Sequence, residues 1–272
     1  MDRDLTQLLE EWPFVPGQIS VRVIEGKDHE PRIQVRLDLG ILQMDVDGRP
    51  DGRRPEGFES LLEYQESRIS SGEAFEGEND PDEPIDGVPE ELLPEPTGEE
   101  GTRRFLSPET CRQLREEAQQ YYHRYIALLV LEDFEGVVRD TSRNLRVLDL
   151  FRDYAIEEDD QNAMEPHRPY VMMMRARALA SHALKNEENK VAVNAIDEGI
   201  ESLRTYYDSI ERPELFEQAG EVQMLREMRE GLIPKLPVSQ KAELRQRLDA
   251  ALAAENYELA AILRDELRML GG

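Results

Sequence analysis

Hydrophobic positions along the chain change period twice. Near the start, Leu5, Leu8, Leu9 and Trp12 recur at helical spacing, and Pro13 and Pro16 stop that helix. The period then becomes two. "QISVRVI" sets Ile19, Val21 and Val23 on one face of a strand, and "RIQVRLDLGILQMDV" sets Ile33, Val35, Leu37 and Leu39 on one face of another. After Gly40 the alternation shifts to Leu42, Met44 and Val46, the mark of a bulge or sharp bend. "EGKDHEP" between the runs suits a hairpin connection, "DGRPDGRRPEG" ends the strand, and "FESLLEYQES" returns to helix. Two long strands alone are marginal, so this unit must pack on its own helices or on another surface.

From 106 onward the period is helical throughout. Ser107-Pro108-Glu109 starts a helix, with Ser107 as N-cap and proline at the first position. Leu114, Ala118, Tyr121, Tyr125, Leu128 and Glu132 continue it, and "EDF" turns the chain. Phe134, Val137, Thr141, Leu145 and Leu148 form the next face. After a polar stretch containing Pro166 and Pro169, Met172, Ala176, Leu179 and Ala183 mark a third helix. Val193, Ile196, Ile200, Leu203, Tyr207 and Ile210 mark a fourth, the cleanest seam. Pro213 opens a fifth through Leu215, Ala219, Val222 and Leu225. Helix pairs joined by tight polar turns predict a bundle or short solenoid with a loose similarity to tetratricopeptide architecture. The signature Trp and Gly-Tyr spacing of those repeats is absent.

Between these regimes the stretch 72–101 holds a dozen carboxylates and no Lys or Arg, and predicts an acidic disordered linker. The expectation is therefore an α+β chain. It has a small α+β unit with a long β-hairpin over 1–70, a linker over 71–104 and a helical bundle over 105–232. A helical hairpin over 236–270 completes it. Within the linker, "PEELLPEP" reads as part of the tether in preference to a docking motif.

Charge narrows the function. A net charge of −26 makes unaided binding to nucleic-acid phosphates unfavourable. Only five of the thirty-three basic residues are lysine, so arginine dominates the pairing with carboxylates. No apolar run is long enough for a membrane span, and MDRDLTQLL lacks the pattern of a secretion signal. A lone cysteine, Cys111, fits a reducing cytoplasm and reads as a half-buried helix position.

Candidate chemistry is sparse. Asp45, Asp47 and Glu56 mimic positions of a calcium loop. However, Arg49 and Pro50 occupy its fifth and sixth positions and a strand precedes it, so an acidic turn is the better reading. His29, His123, His167 and His182 have no zinc-binding spacing. No phosphate-binding loop, dinucleotide fingerprint or nucleophile elbow occurs. "YVMMMRARALA" reads as core before it reads as a methionine-rich binding face. No catalytic, cofactor-binding or metal-binding residue is assigned, and the chain reads as a non-enzyme without cofactor.

The end of the chain carries the specific signal. In "PVSQKAELRQRLDAALAAENYELAAILRDELRML", Pro237 breaks the chain, Ser239 caps, and Leu244, Leu248 and Leu252 stack on one helix face. Glu255-Asn256 turn the chain. Ala260, Leu263, Leu267 and Leu270 then step along the second helix. A further apolar line, Leu259, Ile262 and Met269, lies off that seam. So small a hairpin does not bury enough apolar surface to offset the entropy of its ordering and needs another surface.

"LDAALAAENYELAAILRDEL" resembles the UVR motif shared by UvrB and UvrC. The resemblance implies that Tyr257 packs the turn, that Glu258 caps or pairs nearby, and that Ala260 and Ala261 pack closely. It implies that Arg264 and Asp265 orient a facing hairpin. Leu252, Leu259, Ile262, Leu267 and Met269 complete the implied partner-binding set. In excision-repair proteins the module docks a like hairpin into a four-helix arrangement, and it occurs in Clp-protease ATPases and their adaptors. This chain lacks the helicase phosphate loop of UvrB, a recognisable nuclease domain of UvrC and the CxxC pairs of Clp adaptors. The first segment also resembles uncharacterised bacterial proteins ending in this motif. The implied function is a bacterial cytoplasmic adaptor that binds a protein partner or itself. Accessory roles in UvrABC-type repair or in Clp-type proteolysis are the alternatives.

Overall fold

The computed structural model describes residues 4–71, 105–232, 248 and 264. Met1–Glu227 form one compact unit and Met228–Gly272 a second. The linker expected at 71–104 lies outside the described residues beyond Ser71.

Helix α1 (Thr6–Glu11) precedes a three-stranded antiparallel meander, β1 (Ser20–Glu25), β2 (Pro31–Arg36) and β3 (Ile41–Asp45). The expected long two-stranded hairpin is thus corrected to three strands. Leu37 and Leu39 are not in a strand. The Leu37 N–H donates to the Gly40 carbonyl at 2.9 Å, closing a tight turn in which Leu39 is 88% exposed. The parity slip at Gly40 therefore marks a reversal of direction. The β1–β2 connection is a hairpin as read, closed by Gly26 N–H to Glu30 O at 2.7 Å, with His29 in left-handed conformation.

The faces of the sheet follow from register. Val23, Ile33 and Met44 are aligned across the strands, and Ile33 and Met44 are buried. On the other face Arg22, Gln34 and Gln43 align. Arg22 Nε donates to Gln34 Oε1 at 2.8 Å, and Gln34 Nε2 donates to Gln43 Oε1 at 2.9 Å. Trp12 lies 4.1 Å from the Arg22 guanidinium, and its carbonyl accepts from Arg36 Nε at 2.6 Å. This ties the segment after α1 to the polar face. Ile19, just before the edge strand β1, and Val23, within it, remain half exposed.

Helix α2 (Leu61–Ser71) packs against α3 (Pro108–Val130), which pairs with α4 (Phe134–Tyr154). Ser107 caps α3 as read, accepting from the Thr110 N–H at 3.3 Å, and Asp133 caps α4 by accepting from the Gly136 N–H at 3.0 Å. Glu132 sits in the turn with φ +58°, after α3 has ended. Leu61, Leu62, Leu106, Cys111, Leu114 and Phe151 share one core. The N-terminal unit is therefore sealed against the first helix pair.

The polar stretch after α4 holds a short helix, α5 (Glu158–Asn162). Helix α6 (Arg168–Lys185) then packs between α4 and α7 (Asn189–Ser209). Because two neighbours flank it, a single stripe under-describes its buried surface. Ala176 and Ala183 are buried as read, Met172 and Leu179 are half-buried, and Met173, Met174 and Ala180 are buried as well. Gly199 of α7 meets α6 closely: a Cβ there would lie 2.4 Å from Cβ of Ala176. Along α7, Val193, Ile196, Leu203 and Tyr207 are buried, Ile200 is half-buried and Ile210 is exposed. The expected fifth helix is two: α8 (Pro213–Phe216) and α9 (Gly220–Leu232). The Ala219 N–H donates to the Phe216 carbonyl at 3.3 Å between them, and Val222 and Leu225 are fully buried.

Candidate functional site

The polar residues that lie deepest in the bundle stand on the faces that should be apolar. Glu117 and Arg124 on α3 follow Leu114 and Tyr121 by three residues, which turns them onto the buried stripe. Each has a partner on α4, and both also grip the N-terminal unit. Arg124 donates to Asp140 through Nε at 2.7 Å and Nη2 at 2.8 Å. Its Nη1 reaches the carbonyls of Gly48 at 2.7 Å and Asp45 at 3.1 Å. Glu117 pairs with Arg143 and lies 3.2 Å from Nη1 of Arg49. Its carboxylate also accepts from the Leu61 N–H at 2.9 Å and the Leu62 N–H at 3.3 Å, so it satisfies the opening donors of α2. The Tyr121 ring lies 4.1 Å from the Arg143 guanidinium and 4.7 Å from that of Arg124.

This cluster joins α3, α4, α2 and the loop after β3. Its carboxylates are saturated by arginines and backbone donors, which suits a fastening and leaves no free acid or base for chemistry. The calcium-like loop is spent in the same way. Asp45 pairs with Arg32 at 2.7 Å, Asp47 with Arg139 at 2.7 Å and Asp51 with Arg49 at 2.9 Å. Among the described residues no group of three or more His, Cys, Asp or Glu side chains is placed to hold a metal ion.

Cys111 is fully buried, which corrects the half-buried expectation: it points into the core under α2. Burial pushes its thiol up to about 12, and Asp160 adds to the rise while Arg115 opposes it. Such a thiol is not a nucleophile at neutral pH. Met173 and Met174 are core residues. His29 pairs with Glu25, His182 lies 3.8 Å from Glu135, and His123 stacks edgewise on Tyr122. No helix among the described residues is long and apolar enough to cross a membrane.

The partner-binding residues inferred from the hairpin (Leu252, Tyr257, Glu258, Leu259, Ala260, Ala261, Ile262, Asp265, Leu267 and Met269) lie outside the described residues. Arg264 and Leu248 are described: both are helical, Arg264 exposed and Leu248 half-buried. Those two positions fall one in each of the helices that the sequence pattern sets on either side of Glu255-Asn256. Comparison with family models decides the assignment of this segment. Residues 239–272 match the UvrB/uvrC motif. The match coincides with the stretch whose aromatic-Glu-x-Ala-Ala-x-x-Arg-Asp order carries the signal. Outside the UVR motif the comparisons add nothing: neither the curated proteins nor the solved structures contain a match.

Proposed function

We propose that this protein is a non-enzymatic adaptor that docks a partner hairpin, from another protein or a second copy, through its terminal UVR motif. The match over residues 239–272 carries the reading. Two physical arguments support it. The sequence pattern gives the motif an apolar line, Leu259, Ile262 and Met269, beyond the seam that two paired helices need. Docking against another hairpin buries that line and offsets the ordering entropy that a lone hairpin cannot. Arg264 and Asp265 follow Ile262 in sequence and supply opposite charges that can set the orientation of a facing hairpin.

The compact body serves the adaptor as a rigid mount, because its polar cluster is directed inward and its carboxylates are held by arginines and backbone donors. Tagged full-length chain and a chain ending at Pro237 test this together. The full chain is expected to retain a protein partner or an untagged copy of itself that the shorter chain loses. Equal retention by both rules the reading out.

The family description itself favours one partner class. UvrB and UvrC give the motif its name, so an accessory of nucleotide-excision repair, recruited through a hairpin of either protein, is the second reading. Cells lacking the protein are then expected to be sensitive to ultraviolet light. Wild-type survival counts against that branch and leaves the docking reading intact.

A further inference from the structure

Helices α3 and α4 and the polar stretch leading into α6 enclose a cleft of about 540 Å³, a size that suits a small organic ligand. Ala118, Met164 and Val171 supply apolar wall, and Tyr122, Tyr125 and Tyr170 supply aromatic surface. Tyr122 lies edge-on to Tyr125 with centroids 5.4 Å apart, and Tyr170 is 6.5 Å from Tyr122.

The decisive group is Tyr125. It is only 1% exposed and lines the cleft, and its hydroxyl has no hydrogen-bond partner among the described residues. A buried phenol normally finds a partner, because leaving one unpaired forfeits free energy. Burial, reinforced by the neighbouring Tyr170 and Tyr122, raises its pKa well above the ordinary value, so it stays protonated and can donate.

Charge around the cleft completes the picture. Arg115 lines it, held by Asp160. On α6, Arg177 stands outside the lining, and its charge acts on the Tyr170 hydroxyl. The Arg115 guanidinium in the wall and the field of Arg177 behind Tyr170 both oppose a cation in the cleft.

We propose that this cleft binds a small planar aromatic carboxylate. The ring lies against the tyrosines, a carboxylate oxygen accepts from Tyr125, and Arg115, with the field of Arg177 beyond the lining, supplies positive charge. The site is independent of the terminal motif, so it stands or falls apart from the docking reading.

Isothermal titration calorimetry on the full chain tests it, with indole-3-carboxylate as probe and indole-3-methanol as its uncharged counterpart. Saturable heat is expected from the carboxylate, with affinity at least roughly tenfold above that of the alcohol. Tyr125→Phe removes only a hydroxyl and is expected to weaken binding roughly tenfold. Ala163→Trp fills the cleft from an exposed lining position and is expected to abolish binding even if the phenylalanine variant loses its fold. No heat at millimolar probe overturns the proposal. Equal affinity for acid and alcohol, or binding unaffected by Ala163→Trp, does so equally.

Discussion

Arg124 and Asp140 form a two-pronged pair, 2.7 and 2.8 Å, with side chains 1% and 0% exposed. The remaining Arg124 nitrogen holds the carbonyls of Asp45 and Gly48, so one guanidinium fastens α3 to α4 and both to the end of the sheet. Breaking a buried pair from one side strands a charge in a dry interior. Asp140→Ala is expected to lower unfolding free energy by about 3–5 kcal/mol, read as a shift in urea midpoint. Replacing both residues with apolar ones should recover much of that loss.

Glu117 supports α2 from a distance of more than fifty residues in sequence. Glu117→Gln keeps the shape but weakens acceptance from Leu61 and Leu62, leaves Arg143 without its carboxylate and leaves Arg49 with Asp51 alone. The expected cost is roughly 3 kcal/mol. Amide exchange in Leu61–Ser71 should accelerate more than exchange in α7, because α7 is not part of the cluster. Uniform acceleration would deny Glu117 its local role.

Gly199→Ala tests the approach of α6 and α7. The added methyl would meet Ala176, so about 1–3 kcal/mol of stability should be lost. Gly220→Ala is the control, since nothing lies within 4 Å of its added Cβ. Near-neutral behaviour at 220 and a clear loss at 199, in matched thermal melts, is the expected pattern.

Cys111 predicts a pH dependence. Its folded pKa is raised from an ordinary 9.0 to about 12, chiefly by burial. The buried thiol therefore contributes its full stability below about pH 9. That contribution declines as the pH climbs towards 12, because the unfolded chain loses the proton first. Cys111→Ala should flatten this part of the stability profile. In the native protein a thiol reagent at pH 8 should react only at the rate of opening, and rapid native-state labelling would contradict the burial.

Much of this body was legible in the sequence because local rules decided it. Ser107-Pro108 announced α3, and Val193, Ile196, Leu203 and Tyr207 announced the buried face of α7. Misreadings arose where tertiary context intervened. Leu37 and Leu39 continued a strand pattern, but two backbone bonds closed a turn there. Leu215 and Leu225 fitted one helix, whereas the chain breaks before Gly220. Glu117, Arg124, Asp140 and Arg143 carry no motif that singles them out in the sequence, because their partners come from other elements. On α3 the only local signal is position, since Glu117 and Arg124 stand in phase with Leu114, Tyr121 and Leu128. Tyr125 was read as a core residue, and its unpaired hydroxyl became visible only when α6 supplied the far wall of the cleft. The terminal motif was legible for the opposite reason: its side-chain order is itself the signature.

Quantitative affinity capture tests the central claim most directly, comparing tagged full-length chain with a chain ending at Pro237 in the same cells. An adaptor that docks through residues 239–272 should enrich a partner, or its own untagged copy, with the full chain only. Identical captured proteins in the same amounts, with the full chain monomeric, would contradict it.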